Sequence, residues 1–217
     1  MITVSEFIKK IVATTPFLEE GLAGGIINLS ALARKIQPQI EAELYKPVSE
    51  SAILMALKRY SAKIEKSVNA QAKVLKNIGD LTIRSNLSEY TYASSESILE
   101  KLKKLLHEID SRRDKFVTFT HGLFEFSMIV NANLGKTVER IFVKEKRLNK
   151  LSDLSAIIIN LPPAVVHTPG IHYAILKQLA WENINVIEEI STFTEFTIIL
   201  EKSQIDRAFS VLKRFLW

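Results

Sequence analysis

The sequence predicts an α+β protein: a helical N-terminal domain over residues 1–76, then two units of order β-α-β-β-α over 77–150 and 151–217. Three observations predict this. Apolar residues recur only at helical spacing over residues 4–66, and strand-like alternation enters after residue 80. Finally, Phe124-Glu125-Phe126-Ser127-Met128-Ile129-Val130 is matched downstream by Thr194-Glu195-Phe196-Thr197-Ile198-Ile199-Leu200.

The first helix places Phe7, Ile8, Ile11 and Val12 on one face, and a second, short helix stops at Gly24-Gly25. A third starts at Asn28 or Ser30, either of which can cap it, and carries Leu32, Ala33, Ile36 and Ile40. Pro38 lies inside that run, where a missing N–H predicts a break or kink. The fourth spans 49–66, with Ile53, Ala56, Leu57, Tyr60 and Ile64 on its apolar face. Residues 67–80, with Ser67, Asn69, two lysines and Gly79-Asp80, read as the first connection between domains.

In the first β-α-β-β-α unit, a strand begins over 81–83 and residues 97–109 form an amphipathic helix with Ile98, Leu102, Leu105 and Ile109. A hairpin then turns at His121-Gly122, and a helix covers 135–146. In the second unit the elements are a β-rich string 156–159, a helix with Ile171, Ile175, Leu176 and Leu179, strands over 186–191 and 195–200, and a final amphipathic helix. The copies stand 70 residues apart at the matched strands and 73 at the preceding helices, a difference taken up by the loop 110–115. Because strand side chains alternate, Phe126/Phe196, Met128/Ile198 and Val130/Leu200 share one face, and that face should meet the helices.

The turn Thr168-Pro169-Gly170 prepares the start of a helix. Proline fixes φ and glycine accepts close approaches that a Cβ forbids. The first helical amides, left without acceptors, suit a carboxylate there.

Thr168-Pro169-Gly170-Ile171, Leu179-Ala180-Trp181-Glu182-Asn183-Ile184-Asn185-Val186, Ile190-Ser191-Thr192 and Thr194-Glu195-Phe196-Thr197 together resemble the ACT domain, the regulatory module that follows the catalytic part of aspartokinases. The resemblance covers about 65 residues and implies two ferredoxin-like units, in tandem, pairing with each other or with a second chain. It also implies an amino-acid effector at the seam, met by His167, Thr168, Pro169, Gly170, Ile171 and Asn185. In that arrangement the Gly170 and Ile171 amides receive the carboxylate and the Asn185 side chain reads the α-amino or polar end. The first unit departs where this matters, having Ser94-Ser95-Glu96-Ser97 in place of Pro169-Gly170, with Glu96 set to repel a carboxylate. On the plainer reading Pro169-Gly170 is only a turn and Asn185 only a polar residue at a strand start.

Asn28-Leu29-Ser30-Ala31-Leu32-Ala33-Arg34, followed by Val48-Ser49-Glu50-Ser51-Ala52-Ile53 and Ala56-Leu57-Lys58-Arg59, looks like a helix-turn-helix of the winged type. That resemblance implies double-stranded DNA as a partner, contacted by Ser51, Lys58 and Arg59. Two features depart from it: the connection 36–47 is long, and Glu50 would face phosphates. A helical packing or dimerisation domain, with Lys58 and Arg59 as a solvated face, fits these residues equally.

Composition narrows the rest. The formal charge of +5 is concentrated early, with 11 Lys/Arg against 7 Asp/Glu over 1–76, 13 against 10 over 77–150, and 5 against 7 over 151–217. That permits nucleic-acid contact without requiring it. The chain has no cysteine, which removes disulfides and thiolate chemistry and fits a reducing cytoplasm. The start Met1-Ile2-Thr3-Val4-Ser5-Glu6 reads as no signal peptide and no run of 18 apolar residues occurs, so no membrane is expected.

His167 and His172 lie five apart across a turn and match no zinc arrangement, and no phosphate loop, nucleophile elbow or dinucleotide fingerprint appears. The sequence therefore predicts a cytoplasmic, non-enzymatic regulatory protein without a cofactor. It would be a homodimer that binds an amino acid or similar small effector and couples this to DNA binding or association. The alternative is an interaction or structural protein with no small ligand.

Overall fold

The computed structural model describes residues 3–15, 17–109 and 115–217, leaving the side chains of 65–70 undescribed. The chain divides into two compact units, Met1–Val74 and Leu75–Trp217.

The first unit opens with α1 (Val4–Thr14), whose start is closed by a capping box: the Thr3 hydroxyl accepts from the Glu6 amide, and the Glu6 carboxylate accepts from the Thr3 amide. Then come α2 (Leu18–Ala23), α3 (Leu29–Leu44), capped by the Asn28 side chain, and α4 (Glu50–Leu75). Their core is Phe7, Ile8, Val12, Leu22, Ala33, Ile36, Ile40, Ile53, Ala56, Leu57 and Ile64.

Four expectations need correction here. α3 runs through Pro38 without ending; Pro38 and Arg34, four residues earlier, are both exposed, so water can serve the carbonyl that proline leaves unpaired, while Ile36 and Ile40 anchor the helix in the core. Consequently the connection to α4 is only residues 45–49, and α4 itself continues to Leu75, so it takes up the first part of the stretch 67–80 read as a connection. Among the described residues of this unit there is no strand, so the wing of a winged helix is absent.

The second unit is built on one six-stranded sheet of order β2-β3-β1-β4-β6-β5, in which every neighbouring pair is antiparallel. The strands are β1 (Leu81–Ala93), β2 (Val117–His121), β3 (Glu125–Asn131), β4 (Arg147–Asn160), β5 (Glu188–Ser191) and β6 (Glu195–Glu201). The helices are α5 (Ile98–Glu108), α6 (Gly135–Ile141), α7 (Ile171–Trp181) and α8 (Ile205–Leu216). Helix α6 stops well before residue 146, and the segment after it is a turn, another departure from expectation.

The long central strands are where the two repeats join. The later part of β1 pairs with β3, from Leu87↔Asn131 to Ala93↔Glu125, and with the early part of β4, whereas the later part of β4 pairs with β6 and with the early part of β1, from Leu81↔Ile159 to Arg84↔Ala156. Each repeat thus receives its fourth strand from the other. Near the crossing point Leu87 faces Leu154, and Asn86 and Asp153 both take left-handed backbone, φ 62° and 55°, beside the register shifts. Lys150 and Leu151, between which the sequence places a boundary, are neighbours within β4.

One face of the sheet meets the helices, as its alternation predicts. In the first repeat Phe126, Met128 and Val130 pack with Ile98, Leu102 and Leu105 of α5 and Val138 of α6. The other face is also apolar: Leu87, Ile129, Leu154, Ala156 and Ile199 form a second buried cluster. Among the described residues no helix is long and apolar enough to cross a membrane.

Candidate functional site

After β4 the chain cannot continue straight. The Leu161 amide donates to Thr194 O at 2.7 Å, tying the strand end to β6, and Pro162 leads into a 3₁₀ turn over Pro163–His167. Thr168 closes that turn twice, its amide donating to Val165 O at 3.1 Å and its hydroxyl to Ala164 O at 2.9 Å. Gly170 then takes φ 84°, a conformation that disfavours any side chain, and α7 begins at Ile171. No side chain caps this start. The amides of the first helical turn, including those of Ile171 and His172, therefore have no acceptor within the helix, and the positive end of the helix dipole lies among them.

Opposite, the β5–β6 turn is held by the Thr192 amide donating to Glu195 O at 2.9 Å. Between turn and helix start lies an open concavity of about 480 Å³, lined by Val165, Thr168, Pro169, Gly170 and Ile171 on one side and by Ser191, Thr192 and Phe193 on the other. The His172 ring, also in the lining, stacks on the buried Phe196 ring at 4.4 Å between centroids. Phe193 is 65% exposed. No lysine or arginine lines the concavity, so an anion there would depend on backbone amides and the helix dipole.

Of the residues singled out in sequence, Thr168, Pro169, Gly170 and Ile171 come together in this wall. His167 is exposed at the end of the 3₁₀ turn, outside the lining, and Asn185 is exposed beyond the far end of α7. Eleven helical residues separate it from Gly170, about 16 Å of rise. Sequence reasoning did not include Ser191, Thr192, Phe193 or His172 in the site. The hairpin turn carried a signal for the first three, because a turn after a strand end at the helix-start side of a β-α-β-β unit must stand beside that helix. Among the described residues no group of three or more His, Asp or Glu could hold a metal ion.

In the first unit Ser51, Lys58 and Arg59 are all exposed on α4. Ser51 and Lys58, two turns apart, share a face, and Arg59 lies about 100° round the helix. Glu50 is paired with Arg34 at 3.0 Å, and the Ser51 hydroxyl lies 3.1 Å from that of Ser49. Lys58 borders a second concavity of about 480 Å³ between the α2–α3 turn and α4, together with Gly25, Ile27 and Ser61. These positions make a polar helix surface and carry no feature particular to nucleic acid.

No family model and no curated protein matches the chain. Solved structures do. The regulatory subunit of aspartate kinase from Thermus thermophilus, in ligand-free form, superposes with a TM-score of 0.53 at 10% identity, over 64% of this chain and 99% of that one. The corresponding subunit from Thermus flavus gives the same values. The aspartate kinase of Clostridium acetobutylicum, described as an important allosteric enzyme for industrial amino acids production, matches with a TM-score of 0.51 at 16% identity, over 64% of this chain but only 35% of the enzyme. At such identities the likeness is one of fold: this chain carries the mixed helix and antiparallel-sheet architecture of aspartate kinase regulatory domains.

Proposed function

We propose that the chain is a non-enzymatic regulatory protein whose second β-α-β-β-α unit binds a small carboxylate effector, most simply an amino acid. The observation that carries this reading is the open concavity beside Gly170, where an uncapped helix start faces the β5–β6 turn. Its support from outside the chain is the fold shared with a regulatory subunit solved without ligand. The effector's carboxylate sits against the Gly170 and Ile171 amides, where the helix dipole favours negative charge. Its side chain lies toward Thr192 and Phe193. Asn185, beyond the far end of α7 and so too distant to serve its own loop, would contribute to the loop of a second copy in a homodimer.

A thermal-shift screen of the twenty amino acids tests this. A ligand at a hundred times its dissociation constant stabilises the fold by about 2.7 kcal/mol, which raises Tm by roughly 5–10 °C for a chain of this size. Gly170→Val, which fills the left-handed position and the space beside it, should abolish the shift. A flat screen on the parent chain favours an interaction protein with no small ligand.

A further inference from the structure

The loop of the first repeat that corresponds to the Gly170 turn already holds a carboxylate, and it belongs to the chain itself. Glu145 lies in the turn between α6 and β4, with its side chain only 6% exposed. It accepts hydrogen bonds from the Ser95 hydroxyl at 2.8 Å, from the Ser97 hydroxyl at 2.6 Å and from the Lys101 ammonium. Ser97 is the N-cap of α5, yet it makes no capping bond to the helix; its hydroxyl is turned to Glu145. Burial pushes the Glu145 carboxyl up, but the bonds from Lys101, Ser97 and Ser95 outweigh this and hold it below the ordinary carboxylate range. Glu96, expected to repel any carboxylate at this loop, is exposed and makes none of these contacts.

The backbone presents Glu145 from both sides. Its amide donates to Phe142 O at 2.8 Å, and Phe142 is buried between Tyr92 and Phe126, with ring centroids 5.0 and 6.1 Å away. The next residue, Lys146, accepts from the Ala93 amide at 2.9 Å. The early end of α6, which frees this turn, is therefore what brings the carboxylate to the start of α5.

In the second repeat the whole group is missing together. Setting Ile98 on Ile171, the first residues of α5 and α7, puts Thr168 at Ser95, Gly170 at Ser97 and Ala174 at Lys101. The offset that carries Glu125 onto Glu195 puts Phe215 at Glu145, inside a helix that continues to Leu216. Two hydroxyl donors become one, the cation and the internal carboxylate disappear, and a concavity stands open instead.

We propose that Ser95, Ser97 and Lys101 form a carboxylate-binding site in the first repeat, kept filled by the chain's own Glu145, so that this repeat is a permanently liganded copy of the open one. Its ligand class is a small monocarboxylate, admitted only when Glu145 is gone. This does not depend on the second repeat binding anything.

The test is chemical rescue in the full chain. Glu145→Gly is expected to lower Tm by about 5 °C. Sodium acetate or formate should then restore at least half of that loss in a saturable way, where equal sodium chloride does not, and adding Lys101→Met should remove the restoration. No recovery with either carboxylate, or equal recovery with chloride, overturns the proposal. A measurement on the parent guards against a variant too unstable to read: carbon-13 titration of the Glu145 carboxyl should show protonation below the ordinary glutamate value of 4.5, moving upward in Lys101→Met. Titration at or above that value in the parent also overturns it.

Discussion

Gly170 and Gly135 show how single positions hold this fold. At Gly170, with φ 84°, a side chain costs about 1–2 kcal/mol from backbone strain alone, so Gly170→Ala should lower the urea-unfolding free energy by that amount. At Gly135 the restriction is one of space: a Cβ there would lie 2.6 Å from the Tyr90 hydroxyl, and Tyr90 is only 2% exposed. Gly135→Ala is expected to cost about 1–3 kcal/mol by overpacking, read from the same unfolding curves; an unchanged midpoint would show that Tyr90 moves aside freely. Of these two glycines only the first was legible in the sequence, because Pro169-Gly170 is a local turn signal whereas the approach of Tyr90 joins residues far apart in the chain. Glu145 was illegible for a related reason. It sits in a run with helical spacing, and only the early stop of α6 turns it toward Ser95.

Among the elements, the strands of the second unit pose an electrostatic question. Glu188 on β5 lies across from Ile199, and Glu89 on β1 lies across from Ile129, so both carboxylates share the sheet face of the second apolar cluster. One oxygen of each is buried without a hydrogen-bond partner. Burial first, and the Glu89 charge second, push Glu188 up to about 6 from 4.5. A raised carboxyl binds its proton more tightly folded than unfolded, so this group's contribution to stability is greatest below about pH 4.5, falls as pH rises to about 6, and is constant above. Glu188→Gln should remove that fall and raise Tm at pH 7, checked by melting curves from pH 4 to 8; a parent and variant with parallel profiles would contradict it.

Local periodicity made the existence of most elements readable, including the faces of α1, α3 and α4 and the strands β3 and β6, whose sequences match. It did not reveal the first half of β4, the polar stretch from Arg147 onward, since that half is specified by pairing with β1 and not by its own hydrophobicity.

At the scale of the whole molecule, the second unit is two half-sheets that exchange strands across β1 and β4, one with its helix-start loop filled from within and one with it open. That asymmetry organises the proposed function, in which the effector binds the second repeat at the loop beside Gly170. The most direct measurement is an amide proton–nitrogen spectrum of the full chain titrated with the twenty amino acids. The account predicts that at least one of them shifts the Gly170, Ile171 and Thr192 signals saturably, and that the Ser95 and Ser97 signals stay in place. Spectra in which no amino acid moves the Gly170 region, or in which the shifts fall at Ser95 and Ser97 instead, would contradict it.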